Sequence, residues 1–121
     1  MNILEIDESA IAELKTVEEE TGEPLIQVLV DLYLVEAPKQ LNEMGQRLEV
    51  DDLPAAGRIA HSLKSTSGSL GLKGVMLAVA EIDLAIKTQT ADRNKLILLH
   101  HQIQQVYPDI QSFLKKLAGR E

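Results

Sequence analysis

From Ile11 to Leu117, apolar residues return every three or four positions, the period of a helix face and not the two-residue alternation of a strand. Aromatic residues are nearly absent, with one Phe, two Tyr and no Trp, so a sheet would have little to build on. The pattern predicts an all-α fold. Asp7 can cap a short first helix over 8–20, carrying Ile11 and Leu14 and stopping near Thr21-Gly22. Pro24 opens a second helix over 24–48, with Leu25, Val28 or Leu29, Leu32, Val35, Leu41 and Leu48 as its core face and a kink at Pro38. Asp51 and Asp52 are cap candidates for a third over 53–70, with Pro54 in its first turn and a stripe of Ile59, Leu63, Thr66 and Leu70. A fourth over 72–88 carries Val75, Val79, Ile82 and Ile86. The last, over 92–118, begins at Ala91 or Asp92 and carries Leu96, Leu99, Ile103, Val106, Ile110, Phe113 or Leu114 and Leu117, with a bend at Pro108. Short polar connections then favour an antiparallel up-down four-helix bundle, the first short helix laid across one end, in a single domain over 1–121.

Bulk properties narrow the function. The chain has no cysteine, which excludes thiol chemistry and thiolate-bound metals and fits a cytoplasmic setting. No apolar run approaches the roughly 20 residues of a membrane span, and no charged-then-apolar leader opens the chain. A net charge of -7 argues against nucleic acid, which asks for a basic stripe. The expected partner is a protein or a small molecule.

Against that acidic background the stretch AHSLKSTSGSLGL, residues 60–72, stands out. No Asp or Glu occurs from Leu53 to Ala80, where the fixed charges are Arg58, Lys64 and Lys73. On a helical wheel of about 100° per residue, the Ile59–Leu63–Thr66–Leu70 stripe lies roughly opposite His61, so His61 points outward. Lys64 and Ser65 flank it one turn on, Gly68 two turns on, and Gly57 and Arg58 one turn before. Glycine inside a helix costs about 1 kcal/mol against Ala, so Gly57 and Gly68 on the His61 side suggest close approach by another surface. Imidazole is neutral and nucleophilic in much of its population near pH 7, and a neighbouring ammonium suits an incoming anion such as a phosphoryl group.

The run His61-Ser62-Leu63-Lys64, small residues to Gly68, then Ser69-Leu70-Gly71 resembles the signature of histidine-containing phosphotransfer (HPt) domains of multistep two-component relays. The likeness extends over IDESAIAEL, LIQVLVDLYLVEAPKQLNEM, the Asp51-Asp52 turn and VMLAVAEID, in order and spacing. The resemblance implies a four-helix bundle whose exposed His61 takes a phosphoryl group from a receiver aspartyl-phosphate and returns it to another receiver. Lys64 matches the phosphoryl-stabilising lysine and Gly68 the small position at which the receiver approaches. Asp83 falls where relatives often carry an acidic or amide residue that orients the imidazole. Gly57, Arg58, Ser65, Gly68, Ser69 and Leu72 form the expected partner-binding set. One position departs: relatives usually have glycine after the lysine, where this chain has Ser65.

The same resemblance places the required Mg²⁺ in the acidic pocket of the receiver, with no cofactor on this chain. Its partners would be response-regulator receiver domains and a hybrid sensor histidine kinase, met by a monomer. The Met1 start and the Gly119-Arg120-Glu121 end fit a free-standing carrier and a segment of a larger protein alike. His100 and His101 are adjacent, project about 100° apart and read as surface residues, not metal ligands. No glycine-rich phosphate loop appears, so no ATP-dependent kinase activity is expected. The Ser65–Ser69 run lacks the strand-turn-helix setting of a hydrolase serine. Two further readings compete with the carrier: a receiver-docking scaffold that moves no phosphoryl group, and an aspartyl-phosphate phosphatase acting through His61.

Overall fold

A computed structural model of the chain describes residues 2–120, so Met1 and Glu121 lie outside the described residues. Five helices follow in order: α1 (Glu8–Thr21), α2 (Leu25–Glu49), α3 (Leu53–Ser69), α4 (Lys73–Lys87) and α5 (Arg93–Leu117). No strand occurs among the described residues. The helix starts are chemically specified. Asp7 accepts from the backbone N–H groups of Ser9 and Ala10, Asp52 from Ala55, and Asp92 from Asn94, satisfying donors that a first turn leaves without intrahelical partners. Gly22 ends α1 in the left-handed region at φ 72°, a conformation that costs glycine nothing. α2 and α5 run unbroken through Pro38 and Pro108, each losing one backbone donor and keeping its helix.

α2 packs against α3 and α5, α4 packs against the same two helices, and α1 lies against α2. α3 and α4 run closest together, and two glycines of α3 lie at that seam, Gly57 against Ile86 and Gly68 against Met76, while Gly74 at the start of α4 clears space for the backbone of Asn2 and Ile3. Met44, Leu48, Leu63, Leu70, Ile82, Ile103 and Leu114 fill the centre. One polar link crosses this core. The Tyr33 hydroxyl on α2 and the Ser67 hydroxyl on α3 meet at 2.9 Å, both buried, and set the two helices in register.

Three expectations about faces are corrected. The core face of α2 is Ile26, Val30, Tyr33, Ala37, Leu41, Met44 and Leu48, while Val28, Leu32 and Val35 are exposed. On α3, Thr66 is exposed, its hydroxyl donating back to the carbonyls of Ser62 and Leu63, and Ile59 is half-buried. The buried face is instead centred on Ala60, Leu63 and Ser67. His100 is not a surface residue: it is buried, its Nε2 lies 2.6 Å from the Leu41 carbonyl oxygen, and the ring packs on Gly45. A Cβ at Gly45 would come within 2.5 Å of His100 Cε1, so α2 and α5 touch there only because position 45 has no side chain.

Candidate functional site

α3 begins at the Asp52 cap and presents His61 about two turns later, with 57% of its side chain exposed. α4 runs beside it and turns Asp83 inward toward the imidazole. Asp83 Oδ2 lies 3.2 Å from His61 Nδ1, and the carboxylate is nearly shut off from solvent, with 4% of its side chain exposed. With the proton on Nδ1 the imidazole donates to Asp83, which leaves the lone pair on Nε2, and no partner engages Nε2 among the described residues.

Two ammonium groups converge on the same carboxylate oxygen. Lys64, one turn after His61, places Nζ 3.4 Å from Asp83 Oδ2. Lys87, one turn after Asp83, places Nζ 3.0 Å from that atom and 3.5 Å from His61 Nδ1. Burial raises the Asp83 pKa, yet the hydrogen bonds from Lys87 and His61, the Lys87 charge and the Lys64 contact outweigh it and hold the carboxyl below its ordinary value of 3.8. Asp83 is therefore ionised at neutral pH, and the cluster of one carboxylate and two ammonium groups carries a surplus of one positive charge. With its Oδ2 already taking three N–H donors, Asp83 is a poor ligand for a resident metal ion.

A groove of about 490 Å³ opens beside the histidine, lined by Pro54, Gly57, Arg58, Ile86 and Lys87. Arg58 is exposed at its rim, so the groove beside the imidazole combines apolar walls from Pro54 and Ile86 with cationic edges from Arg58 and Lys87. Ser65 is exposed one turn from His61. Ser69 is exposed as well, but its hydroxyl donates back to the Ser65 carbonyl at 3.0 Å.

The remaining residues of the expected partner-binding set lie elsewhere than the wheel placed them. Leu72 is a core residue, fully enclosed, and cannot touch a partner. Gly57 is buried, and a Cβ there would meet Ile86 Cγ2 at 3.2 Å; at Gly68 it would meet Met76 Sδ at 2.9 Å. Both glycines face α4, so their first role is close α3–α4 packing, which in turn carries Asp83 to His61. The wheel set the stripe too far toward Thr66, and that phase error turned two packing glycines outward. Lys87 was missed altogether, although its i, i+4 spacing from Asp83 is a pairing signal visible in the sequence.

The family model of the Hpt domain matches residues 28–112, from the first turn of α2 into the last turns of α5. The chain belongs to the Hpt domain family. No curated protein and no solved structure matches it. The Hpt match spans His61, Lys64, Asp83 and Lys87, while α1 precedes it. Membership places the chain in phosphorelay phosphotransfer: Hpt domains are phosphoryl carriers and not kinases, and they interact with receiver domains. No helix of this Hpt domain is long and apolar enough to cross a membrane, among the described residues.

Proposed function

We propose that this Hpt domain accepts a phosphoryl group on His61 from the aspartyl-phosphate of one receiver domain and passes it to another. The observation that carries the reading is the exposed imidazole backed at Nδ1 by a buried, ionised Asp83, 3.2 Å away. In transfer, the Nε2 lone pair forms the N–P bond as the P–O bond to the receiver's aspartate breaks, and the leaving carboxylate keeps that electron pair. Attack by a neutral ring leaves positive charge on the imidazole, and Asp83 faces that charge. Lys64 supplies an ammonium to the phosphoryl oxygens, Arg58 and Ser65 lie on the docking surface, and Mg²⁺ belongs to the receiver. The reaction runs in either direction because the same groups serve both.

The α2–α3–α4–α5 ring of contacts reads as the antiparallel four-helix bundle of the family, working as a monomeric cytoplasmic domain that draws its phosphoryl groups from a hybrid kinase. The test is incubation with a phosphorylated receiver and a count of acid-labile, alkali-stable label on the chain. Transfer to wild type and none to His61→Gln is expected. Binding without label would favour the docking scaffold, and phosphate released to water faster than it accumulates on protein would favour the phosphatase.

A further inference from the structure

The site holds more cation than the transfer reading uses. Lys64 alone would make an ion pair with Asp83 and leave no net charge to meet a phosphoryl dianion. Lys87 alters that balance. It makes the shorter bond to Asp83 Oδ2, 3.0 Å against 3.4 Å for Lys64, and it does so from the same helix, four residues on. It also stands at the Nδ1 edge of the imidazole, 3.5 Å from that nitrogen, away from the Nε2 side where a phosphoryl group would sit.

We infer that Lys87 is a positioning residue that neutralises Asp83 and keeps its carboxylate directed at His61 Nδ1, so that the Lys64 ammonium can leave Asp83 and bind the incoming phosphoryl group. Resting on the transfer reading above, this gives the two lysines separate roles, with Lys87 staying on the carboxylate while Lys64 moves. The proton arrangement agrees. An ammonium cannot donate to Nδ1 while Nδ1 carries the hydrogen given to Asp83, so a Lys87 held by Asp83 preserves the tautomer with a free Nε2. A lysine in the last turn of α4 also suits the negative end of that helix. The helix-end preference gives it no reason to point at Asp83 and the imidazole, and the geometry does.

The experiment loads the full chain with phosphoramidate, a phosphodonor that needs no receiver, and follows phosphohistidine by ³¹P NMR. Lys87→Met is expected to slow loading about tenfold, the scale of one charge-assisted hydrogen bond, and Lys87→Arg to retain most of the rate. In an Asp83→Asn background, where no carboxylate competes for Lys64, the same Lys87→Met change is expected to cost under about twofold by that logic of non-additive neighbours. Equal costs in both backgrounds would show Lys87 acting on the phosphoryl group itself and overturn the assignment, as would no cost in wild type. A second measurement needs no phosphoryl group: ¹³C titration of the Asp83 carboxyl is expected to move up in Lys87→Met, and an unmoved midpoint overturns the inference. Should a phosphorylated receiver fail to load wild type, the transfer reading falls while the carboxyl titration still decides the role of Lys87.

Discussion

His61 and Asp83, 22 residues apart in sequence, meet through Nδ1 and Oδ2 at 3.2 Å, with the carboxylate buried and the imidazole exposed. This one contact selects which nitrogen carries the proton. Replacing Asp83 by Leu removes the acceptor, and Lys87 can then donate to Nδ1 and drive the proton to Nε2. Phosphoryl transfer to His61 is expected to fall at least about tenfold, in the direction seen when a carboxylate that fixes a catalytic imidazole's tautomer is lost. Nitrogen-15 spectra of the imidazole should show the Nε2–H tautomer gaining population.

The same carboxylate makes an acid-stability prediction. The folded Asp83 pKa lies below the ordinary value of 3.8, so its stabilising contribution is fully present above 3.8 and is lost as pH falls through the lower folded value. Urea midpoints of wild type and Asp83→Asn should therefore differ most near neutral pH and converge below about pH 3.8. A gap that stays constant to pH 2.5 or so would contradict the ionised, cation-ringed Asp83.

His100 acts with the same sign at higher pH. Burial, ahead of the opposing Leu41 hydrogen bond and Glu49 charge and aided by His101, lowers its pKa below 6.5 in the folded chain. The unfolded chain then binds the extra proton first, so stability is full above pH 6.5 and declines as pH falls toward the folded value. His100→Gln should flatten that slope in thermal melts between pH 5 and 7, roughly the window where histidine titrates. Gly45→Ala, which drives a methyl group against the ring, should destabilise by about 1–3 kcal/mol at every pH.

The Tyr33–Ser67 pair predicts a non-additive cycle. Ser67→Ala strands a buried phenol, whose pKa burial already pushes up to about 12, and should cost about 1–3 kcal/mol. Tyr33→Phe strands the serine at a similar cost. The double variant removes both polar groups and should be less destabilised than the sum of the singles in denaturant titrations.

Helix existence was legible because caps and periodicity agreed: Asp7, Asp52, Gly22 and Pro54 each stand where a helix starts or stops, and the observed ends fall within one residue of those expected. Helix phase was less so. α2 is apolar on nearly every side from Leu25 to Val35, and the period alone cannot say whether Val28–Leu32–Val35 or Ile26–Val30–Tyr33 is buried; contacts such as Tyr33 to Ser67 decide it. On α3 the core face is built from Ala56, Gly57, Ala60 and Ser67, residues too small to weigh in a hydrophobic count, so Ile59 and Thr66 took their place in the reading. His61, Lys64 and Asp83 stood out as chemistry-bearing residues, and the structure brings them together. Lys87 did not stand out, because a lysine at a helix end has an ordinary dipole explanation and its meeting with His61 depends on how α4 lies against α3.

The most direct measurement is the position of the phosphoryl group itself. The ¹⁵N-histidine-labelled chain, loaded by a phosphorylated receiver, is examined for coupling between ³¹P and imidazole nitrogen, and the loaded peptide is mapped. The prediction is a single phosphohistidine, bonded through Nε2 of His61. Phosphorus on Nδ1, on a serine of the Ser65–Ser69 run, or nowhere on the chain while receiver binding persists would contradict it.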